Sequence, residues 1–262
     1  MVAGYRELLR LAAEWLPRGR QLAALLQASE NLSVLDPSGS EGAKDLLHYA
    51  DLTAQVCDTA RRRVLEGEIV PNEEKIFSIF EPHTELIKRG KQPVPIQFGH
   101  NVLVIEDAKG FIGEYEVVAN GVLDQDLVVP AMTRLQKRFQ GKIKRASFDR
   151  AFHTPENQKK LAEIVPYPCI PEKGQERGRQ QQEGATVAFR KARKNHPGVE
   201  SAINALQTGN GQKRCRDKSK RGFERYVGLG ILGRNLQVLG KLLLAQDEAA
   251  SQAAQTKRKE TG

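Results

Sequence analysis

The first third of the chain carries apolar residues at the three- and four-residue spacing of amphipathic helices. Residues 5–28 predict one helix, with a break where Pro17 and Gly19 stand. Residues 42–67 predict a second helix, which follows a turn cluster at residues 36–40. Together they predict a helical hairpin region over residues 1–70 that docks on, or inserts into, the domain that follows.

The middle of the chain changes to short apolar runs separated by turn residues. In chain order the pattern predicts strands at 97–105 and 111–118, a helix at 126–139, and strands at 144–148 and 167–170. Another helix is expected after Thr154, because threonine is a good N-cap and Pro155 suits the first helical position. This order of elements indicates an α/β core.

The last third is polar at first and then strongly apolar. Residues 171–195 predict an exposed loop that ends in a short basic helix, and the next helix begins with Glu200 and ends at residues 209–211. A long apolar helix is expected from Tyr226 to about Leu244. The core region therefore spans residues 71–246, and residues 247–262 are expected to form a flexible tail.

Charge is distributed unevenly along the 262 residues. The formal net charge is +9, but residues 172–262 hold 19 Lys and Arg against 9 Asp and Glu, while residues 1–171 have a net charge of −1. An excess of this kind favours a polyanionic partner for the C-terminal third, either nucleic acid or an anionic membrane. A solvated basic tail is the alternative interpretation.

The densest positive charge lies in residues 213–225, called the basic segment below. Its seven cationic side chains are Lys213, Arg214, Arg216, Lys218, Lys220, Arg221 and Arg225. Asp217 and Glu224 are the acidic residues among them. Because aromatic residues are scarce here, the segment is expected to hold the phosphates of duplex DNA rather than to stack on single strands.

Three cysteines, Cys57, Cys169 and Cys215, stand far apart in the sequence. An odd count without close spacing predicts neither a disulfide framework nor a zinc site, and it fits a reducing cytoplasm. No apolar run is expected to reach the length of a membrane span, so no membrane partner is predicted.

Two carboxylates are the candidate catalytic residues. Asp149 follows the predicted strand at 144–148, and Glu200 begins a predicted helix. A strand-end aspartate and a helix-borne glutamate supply hard oxygen ligands for Mg²⁺ or Mn²⁺, which suits metal-assisted phosphodiester chemistry on an RNase H-like fold. An aspartate before a turn also serves as an ordinary helix cap, and the spacing alone leaves both interpretations open.

Several segments, in order, resemble the DDE transposases of bacterial insertion sequences, closest to the ISNCY group. Residues 77–84 read Phe-Ser-Ile-Phe-Glu-Pro-His-Thr and are similar to a motif of that family. Residues 147–153 resemble its second-aspartate motif and residues 196–206 its glutamate motif. Further matching segments are residues 88–91, 94–99, 215–217, 222–227 and 234–236. The resemblance covers nearly the whole chain.

The resemblance implies a transposase with an RNase H-like core, an N-terminal helical hairpin and basic C-terminal helices. It implies Asp149 and Glu200 as catalytic residues and as ligands of Mg²⁺ or Mn²⁺, and DNA cleavage and strand transfer as the activity. The expected partners are insertion-sequence ends and target DNA, a homo-oligomer or a full-length transposase. The expected location is the bacterial cytoplasm.

The chain departs from the family pattern at its start and in one turn. The family's first aspartate lies upstream of the helical region, where this chain begins, so a truncated and inactive copy is expected. Asp36, Asp107 and Asp126 fit turns or a helix start and are not expected to complete a triad. Ala151 stands where the family has glycine, which puts the geometry of the turn after Asp149 in doubt.

Two other functions stay open from the sequence. One is a non-catalytic nucleic-acid-binding protein derived from a transposase, and the other is an RNase H-like nuclease that uses another carboxylate. His153 and His196 are weaker candidates for phosphate contact or for orienting the site, as are Lys88 and Lys91 for phosphate binding. For the two histidines an ordinary loop role is the stronger interpretation, and for the two lysines an ordinary surface charge fits equally well.

Overall fold

The computed structural model describes residues 2–29, 37–88, 93, 95–174, 186–195 and 197–260, and these form mixed α/β structure. The chain divides into two compact units, Met1–Gly99 and His100–Gly262. The division lies further along the chain than residue 70, where the sequence places the end of the helical region. Each unit has its own elements and is considered separately.

Two long helices that pack against each other dominate the first unit. α1 (Val2–Ser29) and α2 (Pro37–Val64) bury alanines such as Ala23 and Ala43, whose small side chains allow close approach. Pro17 lies inside α1, so the predicted break there is wrong. A proline removes one helical hydrogen bond, and the packing of α1 on α2 compensates for that loss.

The predicted turn at residues 36–40 is also wrong for residues 37–40, because these form the first turn of α2. Proline has no N–H to lose at this point of a helix, and its fixed φ suits the helix start. Asp36 lies outside the described residues. At the other end of α2, Arg62 pairs at 2.6 Å with both Glu68 and Glu74, which ties the helix to the 3₁₀ turn Asn72–Glu74.

A small antiparallel sheet completes the first unit. β1 (Glu85–Lys88) pairs with β2 (Ile96–Gly99), with Leu86 opposite Phe98. The sequence pattern did not predict β1. The single strand predicted at 97–105 is wrong, since β2 ends at Gly99, whose φ of 145° favours glycine, and a new strand starts at Val102.

A hairpin begins the second unit. β3 (Val102–Glu106) pairs antiparallel with β4 (Ile112–Val117). Asp107 shapes the turn between them: its Oδ1 accepts hydrogen bonds from the backbone N–H groups of Lys109 (2.8 Å) and Phe111 (2.9 Å). The strand predicted at 111–118, the turn before it and the turn role of Asp107 are confirmed, and the first strand of the hairpin is the shorter Val102–Glu106.

A strand–helix–strand unit follows α3 (Asp124–Arg138). β5 (Arg145–Ser147) and β6 (Tyr167–Cys169) are parallel, and α4 (Pro155–Ile164) connects them. Thr154 caps α4, because its Oγ1 accepts from the Asn157 N–H at 3.0 Å, as predicted. The core beneath these elements consists of Val128, Met132, Leu135, Phe148, Leu161, Val165 and Ile170.

The described strands form three separate two-stranded sheets. The α/β character of the chain is therefore shown. A single RNase H-like sheet is not seen among these strands, and that architecture stays a prediction.

Three helices and one π-helical turn end the described chain. They are α5 (Val187–Asn195), α6 (Pro197–Asn204), the turn Ala205–Gly209 and α7 (Ser219–Glu260). The short basic helix, the helix that contains Glu200 and the break at residues 209–211 are confirmed. Residues 247–260, predicted as a frayed tail, instead continue α7, since their alanines favour helix.

One face of α7 packs on the β3–β4 hairpin. Val227 and Ile231 join Ile112 in a second buried cluster. The Asn235 side chain accepts from the Ile112 N–H at 2.8 Å and donates to the Ile112 carbonyl at 3.0 Å, so it satisfies the backbone of that strand residue. Arg234 pairs with Glu106 beside this contact, at 3.7 Å.

α7 differs from the sequence prediction in one more respect. Residues Ser219–Gln255 contain an 18-residue window with a mean hydropathy of 1.2, so the helix is long and apolar enough to cross a membrane by length and composition alone. The core helix of a water-soluble protein passes the same test. The polar contacts of Arg234 and Asn235 show that this helix packs on a hairpin of its own unit.

Candidate carboxylate pair and nucleic-acid interface

Asp149 stands just beyond β5 and caps the 3₁₀ turn Arg150–Phe152. The strand is held in place because the Phe148 N–H donates to the Cys169 carbonyl at 2.9 Å and the Phe148 ring is buried. Asp149 Oδ1 accepts from the Arg150 N–H at 2.6 Å, and the residue is exposed. The carboxylate therefore has the capping role, in a position open to solvent.

Glu200 lies in the first turn of α6 and is exposed. Ala202, two residues on, is fully buried, so α6 is anchored by its apolar face while Glu200 faces solvent. A negative charge in the first turn of a helix interacts favourably with the helix dipole. Glu200 therefore has a structural role that is independent of any metal. That Asp149 and Glu200 converge as ligands of the same metal ions stays a prediction.

A divalent metal site needs several oxygen ligands at one place. In the part of the chain that the structure describes, no three His, Cys, Asp or Glu side chains are grouped so that they could hold a metal ion. Asp149 and Glu200 supply the right donor atoms, but the described residues do not complete a site that fits a pair of Mg²⁺ or Mn²⁺ ions.

The remaining candidates of the sequence have ordinary surroundings. His153 Nε2 lies 3.4 Å from Gln158 Oε1, a contact within its own turn and helix start. Asp126 lies in the first turn of α3, and Lys88 is the exposed last residue of β1. His196, Lys91 and Asp36 lie outside the described residues.

Cys169 is a poor candidate for nucleophilic chemistry. Its side chain is 1% exposed, and burial raises the pKa of the thiol, although Ser147 and Arg193 act in the opposite direction. A thiol that stays protonated in an apolar setting reacts slowly.

The basic segment combines high charge with exposure of its cationic side chains. All seven of its cationic residues are exposed, and with two acidic residues the segment has a formal net charge of +5. Arg225 pairs with Asp217, at 3.0 Å from Nε and 2.5 Å from Nη2 to the same oxygen. The Arg225 guanidinium, helped by the Lys218 N–H, holds the pKa of Asp217 below its ordinary value.

The other six cations are available to an outside partner. Within the described residues, none of the six forms an ion pair; they are Lys213, Arg214, Arg216, Lys218, Lys220 and Arg221. Charged groups left unneutralised by their own protein attract polyanions most strongly.

The two ends of the basic segment are held together by side-chain hydrogen bonds. Gln212 Nε2, just before the segment, donates to the Val227 carbonyl at 2.8 Å. Tyr226, just after it, donates its hydroxyl to the Gly211 carbonyl at 3.1 Å. Residues 213–218 therefore form a loop that is closed against the start of α7, and residues 219–225 are the first turns of α7, so the basic segment is not a loose tail.

A glycine makes this closure sterically feasible. A Cβ added at Gly230 would lie 1.8 Å from Gln212 Nε2, so any larger residue there would displace the amide. Gly222 plays a lesser part of the same kind, since a Cβ there would lie 3.1 Å from Asp217 Oδ1. Sequence reasoning missed Gln212, Tyr226 and Gly230. The signal was the run of glycines within a helix, which marks close approach of another group.

No protein-family model, curated protein or solved structure matches this chain.

Proposed function

We propose that this chain is a DNA-binding protein of the insertion-sequence DDE transposase class that grips duplex DNA through the basic segment. The observation that carries this proposal is the closed base at Gln212 and Tyr226, which presents six exposed, unpaired cations at a fixed place. The motif resemblance supports the class, and the bacterial cytoplasm is the location that this class implies.

Phosphate contacts would supply most of the affinity. Each cation that neutralises a phosphate releases condensed counterions, so binding weakens with salt by about 0.9 units of log–log slope per contact. The fixed base reduces the conformational entropy that the segment loses on binding. Few aromatic residues stand in the segment, so the partner is duplex DNA and its recognition here is electrostatic.

For catalysis we retain Asp149 and Glu200 as the metal-ligand positions of the class, with Mg²⁺ or Mn²⁺ as the ion. Two carboxylates are fewer than a two-metal site requires, and the described residues add no third nearby group. The chain alone is therefore proposed to be inactive in cleavage and strand transfer. It would act by binding DNA or by pairing with a full-length transposase.

One observation favours a purely non-catalytic binding protein as the second candidate function. Asp149 already serves as the cap of a 3₁₀ turn, which accounts for its presence without a metal. An RNase H-like nuclease that uses another carboxylate is the third hypothesis, and it requires a metal group that the described residues do not form.

The experiment measures duplex binding by fluorescence anisotropy across a salt series. The test variant replaces Lys213, Arg214, Lys218 and Arg221 with glutamine. Loss of four phosphate contacts would flatten the log–log salt slope by up to about 3.6 units and weaken binding.

The matched control removes the same charge from exposed cations elsewhere: Arg6, Arg63, Lys142 and Lys159, each replaced by glutamine. This control is expected to keep most of the parent affinity and slope. Equal losses in both variants would show that binding follows net charge alone, and no loss in the test variant would show that the basic segment does not contact DNA.

A further inference from the structure

The outer face of α7 carries a row of exposed leucines that its own unit does not cover. They are Leu229, Leu232, Leu236, Leu239 and Leu243, called the leucine seam below. Each of them is between 43% and 59% exposed. Their spacing alternates three and four residues, which is the a and d pattern of a coiled coil.

The seam is distinct from the face that packs on the hairpin. Val227, Ile231 and Val238 are buried, and at 100° per residue their mean direction differs from that of the seam by roughly 140°. α7 thus has two apolar faces on nearly opposite sides. Burial within the unit accounts for one of them and leaves the other without a packing role.

We propose that the leucine seam pairs with the same seam of a second copy of this chain, to form a two-helix coiled coil. Knobs-into-holes packing needs a partner with the same 3.5-residue repeat, and a second α7 supplies it. The opposite side of α7 is occupied by its own hairpin, so there is room on the seam side for one neighbouring helix.

Charge and area fit a second copy. Between residues 226 and 246 the charged residues are Arg234 and Lys241, both at the heptad position furthest from the seam. Two copies therefore meet without like charges at the contact. Ten half-exposed leucines with their flanking residues provide on the order of 1,000 Å², the lower bound for a specific interface.

Another exposed apolar row lies on α1, and the α1 row of a second copy is the alternative binding partner for the leucine seam. It comprises Leu8, Leu11, Trp15, Leu22 and Leu25. Arg18 interrupts its repeat, and the Arg18 guanidinium covers the Trp15 ring at 5.0 Å. A charged residue at a seam position opposes packing against the uncharged seam of α7, so the second α7 is the better match.

Pairing would add to DNA binding without depending on it. The first turns of each α7 belong to the basic segment, so a dimer carries two basic segments on one particle. Two linked sites bind one duplex more tightly than one site does, provided that both reach it.

Sedimentation velocity of the full chain from about 1 to 100 µM is the test. The parent is expected to reach twice the chain mass of 29.1 kDa. The variant L236D/L239D is expected to raise the dimer Kd by at least about 100-fold, because it places charge at the centre of an apolar contact. The milder variant L236A/L239A is used if the aspartates disturb folding, as judged by circular dichroism, and it should raise the Kd in the same direction.

Two controls separate the alternatives. Leu244→Asp changes a leucine of the same helix that is at least as exposed as the seam leucines and lies off the seam, and this variant should stay dimeric. L22D/L25D disrupts the row on α1 and should also stay dimeric. Dissociation of either control overturns the proposal, as does a parent that is monomeric at the highest concentration. A monomeric parent that floats with anionic lipid vesicles, and loses this with L236D/L239D, would assign the seam to a membrane surface instead.

Discussion

The side-chain amide of Gln212 donates a hydrogen bond to the Val227 carbonyl at 2.8 Å, across the base of the basic segment. The same nitrogen lies 3.4 Å from the Tyr226 carbonyl. Near a helix start, such carbonyls receive their hydrogen bonds from the backbone one turn later, so a side chain there adds a second donor. This one amide therefore couples the conformation of the charged segment to the helix that packs on the β3–β4 hairpin.

Gly230→Ala is expected to break the hydrogen bonds by which Gln212 holds the start of the basic segment against α7. The new Cβ would stand 1.8 Å from the Gln212 amide nitrogen, so the amide must leave and its hydrogen bonds are lost. We expect a loss of about 1–3 kcal/mol in the free energy of unfolding, measured with urea, and weaker DNA binding.

Gly42→Ala is the matched control, because Gly42 is an exposed helical glycine with no atom within 4 Å of an added Cβ. It should be stabilising by about 0.5–1 kcal/mol, since alanine loses less backbone entropy in a helix. If Gly230→Ala behaves like Gly42→Ala, the segment is not held by Gln212.

The local parts of the fold were predictable because they depend on neighbours in the chain. Thr154 with Pro155, and the turn residue Asp107, act within a few positions of themselves, and both predictions are confirmed. Pro17 was misjudged because its tolerance depends on α2, more than twenty residues away. Likewise β1 is recognisable only from its pairing with β2, and no local signal marks that partner.

The candidate site likewise has local features that the sequence predicts and long-range contacts that it does not. The exposure of the basic segment follows from its composition, but its closure by Gln212 and Tyr226 depends on contacts across 15 residues. The cap formed by Asp149 is local and was one of the two roles weighed for it. Its alignment with Glu200 depends on how separate elements pack, which periodicity does not specify.

Asp217 is expected to make stability depend on pH in the acid range. Its pKa is lowered in the folded chain, chiefly by Arg225, so its contribution is fully present above the unfolded value of about 3.9. That contribution is lost as the pH falls through the folded pKa. Thermal unfolding of the parent and of Asp217→Asn should therefore differ at pH 6 and converge in strong acid, and a constant difference at every pH would contradict the assignment.

We predict that the chain alone shows no Mg²⁺- or Mn²⁺-dependent nicking or strand transfer, even on supercoiled plasmid that carries the insertion-sequence ends implied by the proposed function. Asp149 and Glu200 would hold one ion weakly and leave the second unsupported, since two-metal catalysis needs more anionic ligands.

Asp149→Asn is the control of choice, because asparagine also caps a helical turn. The substitution removes the charge and keeps the hydrogen bond from the Arg150 N–H. Nicking by the parent that disappears in Asp149→Asn, with thermal stability unchanged, would show that another carboxylate completes the site. Nicking that persists in this variant would favour the nuclease that uses another carboxylate, unless a mock purification without the chain nicks equally.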